Sequence, residues 1–181
     1  MPWAADHKEK TRVQILDSAS ALFTKQGYEK VSINQVMQHA GLTRGAFYKH
    51  FASKSALYCE AILYGTRKAA KERLKHADDI SQLISAYISQ KHVDSEGEVC
   101  PLAFLVSDIS QQDESLKDIY GTVLNGFINV MADYVGKDRD AAVLSTILMI
   151  GSVALGRAVA DPKLSEEILE TARRVALKEL V

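Results

Sequence analysis

Only three prolines and ten glycines interrupt the 181 residues, and nowhere do Val, Ile and Thr alternate with polar residues for long. Few breakers permit long helices, and the missing period-two pattern excludes a half-buried sheet as the organising element. Cysteine is scarce too. Cys59 and Cys100 are too few for a disulfide framework, and no feature of the sequence supports a bridge between them. The histidines at positions 7, 39, 50, 76 and 92 are scattered, with no pair at metal-ligand spacing. His92 with Asp94, Glu96 and Glu98 reads as a solvated acidic loop rather than a metal site. No phosphate loop and no dinucleotide fingerprint is present. Without a nucleophile, base, metal set or cofactor motif, an enzyme is the least supported class. The start, MPWAADHKEK, lacks the apolar stretch of a signal peptide. The longest uncharged apolar run, 141–156, is 16 residues with two Ser and a Thr, short for a membrane span and suited to a buried helix. The expectation is a cytoplasmic protein that engages no membrane.

What is present is ordinary globular material with an uneven charge. Apolar residues make up 47% and charged ones 25%, which argues against disorder. The formal net charge of −1 hides a basic first third: residues 1–56 carry eight Lys/Arg against four acids, the remainder fourteen against nineteen. That split suggests an anion-binding head on a body with another task.

The periodicity predicts an all-α chain. Ile15, Leu16, Ala19, Leu22 and Phe23 form the stripe of a helix from Lys8 to Gln26, closed by Gly27. Ser32-Ile-Asn-Gln35 matches a capping box before a short second helix. Gly41 permits a tight turn, Leu42 returns to the core, and Thr43 caps a third helix to about His50. Further helices are expected over 53–75 and near 79–91, 100–112, 115–135, 138–160 and 164–180, with a loop at 92–99.

Three short helices with a Gly turn before the third make a helix-turn-helix, and the segment GLTRGAFYKHF at 41–51 has a composition suited to a polyanion. In that frame Thr43 offers a hydroxyl and a helix N-terminus to a phosphate, and Arg44 is suited to guanine. Gly45 keeps the surface low for close approach of a duplex, and Ala46 can touch a thymine methyl. Tyr48, Lys49 and His50 lie on the outward face, Lys54 can clamp the backbone, and Ser32 and Thr11–Arg12 can reach the flanking strand. Taken singly, Tyr48 also fits a packing aromatic, His50 a cap, and Arg44 and Lys49 solvated charges. Their joint placement on one basic segment favours the DNA reading.

Residues 8–62, most specifically SINQVMQHAGLTRGAFYKHFASKSALYCEAI, resemble the DNA-binding domain of the TetR/AcrR family of bacterial transcriptional regulators. The pattern ILDSASALFTKQGYEKVSI, the turn AGLTRGAFYKHF and the Lys54/Leu57 pair all fit. The resemblance implies phosphate contacts from Ser32, Thr43, Tyr48, His50 and Lys54, and base contacts around Arg44, Gly45 and Lys49. Lys49 stands where relatives often carry a second aromatic, which bears on operator preference. The implied organisation is a helix-turn-helix DNA-binding domain over 8–55, with its motif at 32–51, and a helical ligand-binding and dimerisation domain over 56–181.

A homodimer through helices 138–160 and 164–180 is implied as well. The residues agree: the first of these helices is apolar nearly all round with Gly151 and Gly156, and the second carries Ile168, Leu169, Ala172, Val175 and Ala176 as one stripe. Both also fit the core of a monomer. The resemblance further implies a pocket for a small effector, apolar or aromatic by default, for which Tyr64, Arg67, Tyr87, Cys100, Phe104, Tyr120, Leu124, Phe127, Met131 and Met149 are candidates. Such residues equally fit plain core. Cys100 precedes Pro101 and so caps a helix, where a dipole favours the thiolate; Glu96 and Glu98 oppose it. The expectation is a homodimeric repressor that leaves a palindromic double-stranded operator on binding its effector. The alternatives are a redox- or electrophile-sensing repressor acting through Cys100, and a helical adaptor that binds no DNA.

Overall fold

The computed structural model describes residues 2–77, 79–96, 99–136 and 138–180, and among these all regular structure is helical. Helix α1 (Pro2–Gln26) begins earlier than its apolar stripe and buries Ile15, Leu16, Ala19 and Phe23. Gly27 ends it at φ +81°, donating to the Phe23 carbonyl at 2.8 Å. Helix α2 (Ile33–His39) starts at the expected capping box, with Gln35 N–H on Ser32 Oγ at 3.2 Å and Ser32 N–H on Gln35 Oε1 at 2.8 Å. Gly41 turns the chain at φ +66°, and Leu42 N–H closes on the Met37 carbonyl at 2.8 Å.

Helix α3 (Arg44–Phe47) is shorter than expected. Residues 48–50 continue it as tight turns, with Lys49 N–H on the Ala46 carbonyl at 3.2 Å and His50 N–H on that of Phe47 at 2.9 Å. Ser53 then caps α4 (Lys54–Lys75) through Ala56 N–H at 3.0 Å. α4 packs along α1 at Gly65, where any Cβ would collide with the Ser20 side chain. That close approach requires glycine.

Two expected helices are each split. In place of one near 79–91 stand α5 (Ile80–Tyr87) and α6 (Gln90–Val93), separated by Ile88 at ψ 76°, whose side chain is wholly buried. The chain turns to bury Ile88, and Ser89 caps the next helix. In place of one over 100–112 stand α7 (Pro101–Phe104) and α8 (Val106–Ile109), broken at Leu105. The long helices α9 (Glu114–Tyr134), α10 (Arg139–Ala158) and α11 (Pro162–Leu180) follow, the first two capped by Asp113 and Asp138.

One apolar cluster runs without a break from Ile15 to Ala176. Helix α10 lies in its middle, packed on α9, α11, α7 and α6. By length and composition it is the one described helix able to cross a membrane, with mean hydropathy 1.7. Its buried face (Ala142, Thr146, Met149, Ile150, Val153) is that of a core helix. A Cβ on Gly156 would lie only 3.1 Å from Ser165 Oγ of α11, whereas one on Gly151 would meet nothing within 4 Å.

Candidate nucleic-acid interface and internal cavity

The turn after α2 and the short α3 lift one row of side chains out of the fold. Thr43, Arg44, Gly45, Tyr48 and Lys49 are exposed, with Ala46, His50 and Lys54 half-buried beside them. Phe47 and Phe51 point the other way, into the core, and anchor the row. Tyr48 is 59% exposed with only an edge contact to Phe47 at 5.1 Å, so it is no packing aromatic. Thr43 occupies the N-cap position, but its hydroxyl makes no cap bond. A Cβ on Gly45 would meet nothing within 4 Å. The fold itself therefore does not demand glycine there.

The electrostatics of this face are positive. His50 has its pKa lowered by burial first, then by Lys8 and Arg12, with Lys49 adding and Glu9 opposing. Its Nδ1 is buried and has no hydrogen-bond partner. Lys54 rests its ammonium 4.1 Å from the Tyr28 ring centre, which braces it near the surface. Ser32 is exposed but engaged in its capping box. Arg12, expected to reach a flanking strand, instead pairs with Glu60 and lies 5.0 Å over the Phe51 ring. Thr11 donates back to the His7 carbonyl at 2.9 Å.

A cavity of about 360 Å³ opens between α4, α5, α7, α9 and α10. Six of the expected residues line it: Arg67, Tyr87, Cys100, Phe127, Met131 and Met149. Four expected residues do not. Tyr64 faces α1, 3.5 Å from Asp17 Oδ1, in the groove between α1 and α4. Phe104 stacks on His92 with ring centres 5.6 Å apart and lines a different cleft with Arg157. Tyr120 is tied by its hydroxyl to the Leu102 carbonyl at 2.6 Å, and Leu124 packs against the core. The lining also contains Thr66 and Arg73 of α4, one helical face on from Arg67. The buried Thr66 Oγ1 has no hydrogen-bond partner, and Tyr87 Oη has only the Cys100 thiol, a weak one, beside it.

His92 organises the cavity's end, which corrects its placement in a solvated loop. It is 3% exposed within α6. Its Nδ1–H donates to the Tyr87 carbonyl at 2.8 Å, while Nε2 accepts Cys100 N–H at 3.1 Å and faces the Arg73 guanidinium at 3.0 Å. Both neighbours of Nε2 are donors, so the ring is neutral with its proton on Nδ1. Burial and then Arg73 hold its pKa down at about 4. Asp94 and Glu96 are exposed, and Glu98 lies outside the described residues. Among the described residues no three His, Cys, Asp or Glu stand together as a metal set.

Cys100 does cap α7, with Pro101 at the first helical position. The helix has four residues and the thiol makes no cap bond, so the dipole argument for a reactive thiol loses its basis. Cys59 is half-buried on α4, its pKa raised by burial, and both cysteines are free.

Asp108 of α8 was not legible as a site. It accepts the Tyr58 hydroxyl at 2.7 Å and the Tyr28 N–H at 3.1 Å, joining α8 to α4 and to the turn after α1. On the far side of the molecule α10 and α11 leave an apolar strip uncovered: Ile147 is 61% and Leu155 57% exposed, beside Leu144 and Leu164.

The comparisons agree with this geometry. Residues 15–61 match the family model described as bacterial regulatory proteins, tetR family. The chain is 46% identical over 52 residues to the HTH-type transcriptional regulator AcrR of Shigella flexneri, a stretch covering 29% of this chain and 24% of that one. It is 42% identical over 53 residues to an HTH-type transcriptional repressor of Mycobacterium tuberculosis, covering 29% and 28% respectively. The matched stretch thus spans about a quarter of these relatives' length. A TetR-family transcriptional regulator from Cytophaga hutchinsonii superposes over 95% of this chain and 96% of its own, with TM-score 0.73 at 18% identity. Residues 15–61 thus form a helix-turn-helix domain of tetR type, set on an all-helical body that shares its fold with solved TetR-family regulators.

Proposed function

We propose that the protein is a homodimeric transcriptional repressor that releases a palindromic DNA operator when a small molecule fills its cavity. The observation that carries this reading is the exposed row Thr43, Arg44, Gly45, Tyr48 and Lys49 on a positively charged face, anchored from behind by Phe47 and Phe51. Residues 8–55 act as the DNA-binding domain and 56–181 as the ligand-binding and dimerisation domain. Arg44 and Lys49 read base edges, with Gly45 and Ala46 letting the duplex come close. Ser32, Thr43, Tyr48, His50 and Lys54 hold phosphates.

The second copy covers the apolar strip of α10 and α11. Ile147, Leu148, Gly151, Leu155, Leu164 and Ile168 line one groove there, with Gly151 leaving room for a facing helix. Two-fold symmetry then sets the two α3 segments one or more DNA turns apart, roughly 34–36 Å for a single turn. The cavity couples to the head through α4, which lines it with Thr66, Arg67 and Arg73 and begins at Lys54 beside the DNA face. An effector that prefers one separation of the heads shifts the equilibrium off the operator. Such a protein works in the cytoplasm, where the DNA is.

Substituting Arg44→Ala is expected to cost about 1–3 kcal/mol of operator affinity and to relax preference at one base of each half-site. Equal loss on every sequence would make Arg44 a phosphate contact. An adaptor that binds no DNA would show no salt-dependent affinity for duplex at all.

A further inference from the structure

The cavity opens to solvent between α4 and α9, where Ala70 on one side and Gly126 and Val130 on the other are exposed at its mouth. A Cβ on Gly126 would meet nothing within 4 Å, so that rim is unobstructed. Deeper in, Val123, Met131 and Met149 are buried and form an apolar wall, with Leu63 and Phe127 half-buried beside them.

Several polar groups of the lining are already engaged. Arg73 lies 4.9 Å from the centre of the Tyr87 ring and meets His92 Nε2 at 3.0 Å. The Tyr87 hydroxyl has the Cys100 thiol beside it, and Thr122 donates to the Asp118 carbonyl at 2.9 Å. Thr66 stands apart. It is 9% exposed, and its buried Oγ1 has no hydrogen-bond partner among the described residues. A helical Ser or Thr can return its hydroxyl to the carbonyl one turn back. Thr11, Thr122, Ser145 and Thr146 each do so, at 2.6–2.9 Å. Thr66 makes no such bond. Its hydroxyl is a donor held in a largely apolar chamber, and that costs free energy until an acceptor arrives.

We propose that the cavity binds an uncharged lipophilic ketone, its body against Val123, Phe127, Met131 and Met149 and its carbonyl oxygen accepting from the Thr66 hydroxyl. A volume of about 360 Å³ lies near the lower end of small-molecule sites and calls for a compact body. The oxygen satisfies Thr66, and the rest of the molecule meets carbon. A charged analogue would shed its water against that apolar wall, while the guanidinium of Arg73 is already held by its own contacts. That such a ketone acts as an effector rests on the repressor reading; that it binds does not.

The test is isothermal titration of the full-length protein with benzophenone and with 1-tetralone, each against the hydrocarbon, the acid and the amine of the same body. At least one ketone binds once per chain, about tenfold or more tighter than its acid and its amine. Thr66→Val replaces the hydroxyl with a methyl of similar size. It weakens that ketone about fivefold or more and leaves the hydrocarbon unchanged, with thermal stability unchanged or higher. Comparing the change in the two ligands cancels their different hydration. Absence of binding by both ketones overturns the proposal, as does acid or amine binding as tightly as the ketone. So does a Thr66→Val effect that is equal on ketone and hydrocarbon. Operator affinity is measured separately. A ketone that binds through Thr66 yet leaves operator affinity unchanged supports the cavity chemistry and refutes its effector role. An acid or amine that binds tighter than the ketone and releases the operator supports the repressor reading and overturns the ketone.

Discussion

Asp108 joins three parts of the chain, and removing its charge should reveal how much that junction is worth. Its carboxylate accepts from the Tyr58 hydroxyl at 2.7 Å and from the Tyr28 N–H at 3.1 Å. Tyr58 is fully buried, and burial together with this bond raises its pKa far above the phenol's usual value, so it acts only as a donor here. A hydrogen bond to a charged group contributes about 1.5–3 kcal/mol, and a buried donor left without an acceptor costs about 1–3 kcal/mol. Asp108→Ala strands both donors and should cost about 2–4 kcal/mol. Asp108→Asn keeps one acceptor oxygen and turns an amide toward the second donor, so it should cost about half as much. The same carboxylate lies where Gly27 would carry a Cβ, 2.6 Å from Oδ1 at a φ of +81°. Gly27→Ala is therefore both clashing and conformationally strained, with an expected loss above about 1 kcal/mol. The assay is urea unfolding followed by circular dichroism, at one fixed protein concentration because the stability of the proposed dimer would depend on it. A cycle of Asp108→Ala with Tyr58→Phe should give a coupling of about 1–2 kcal/mol. Additivity within about 0.5 kcal/mol would refute the junction as an energetic unit.

Gly45→Ala should raise stability by roughly 0.5–1 kcal/mol, since a Cβ there meets nothing, while weakening operator binding; unchanged operator affinity on gel shift would contradict close approach of the duplex. Ile147→Glu combined with Leu155→Glu should convert the proposed dimer to a monomer by light scattering, and a dimer that persists would move the interface elsewhere. His92 carries a pH prediction. Its folded pKa is near 4 against an ordinary 6.5, so between those values the unfolded chain binds the extra proton. Stability is then fully present above pH 6.5 and falls as pH drops toward 4, by about 3 kcal/mol from this ring alone. In His92→Gln the urea midpoint should fall less steeply over the same range, and an equal slope would assign the acid sensitivity to other groups.

The parts legible in the sequence were those that local chemistry decides. The Gly27 and Gly41 turns and the Ser32–Gln35 box are each set by residues within four positions of one another, and the structure has them all. The splits at Ile88 and Leu105 were not legible, because apolar periodicity runs on through both while the break answers to burial against distant helices. The cavity was half legible for a related reason. Helical spacing marks the buried face but not which buried residues border a void, so Met131 and Met149 line it while Tyr120 and Leu124 do not. Thr66 and Arg73 left a signal that went unused: with Leu63 and Ala70 they recur at three- and four-residue steps, a polar-bearing stripe on α4. Asp108 left none, since its partners lie 50 and 80 positions away.

The measurement closest to the central claim is selection from a random-sequence duplex pool by the purified protein, followed by sequencing of what it retains. The account predicts an enriched palindrome whose bound fraction falls steeply with salt, and whose preference relaxes at one position per half-site in Arg44→Ala. A pool that emerges unenriched from correctly folded protein would contradict the account and leave a helical protein whose partner is something other than DNA.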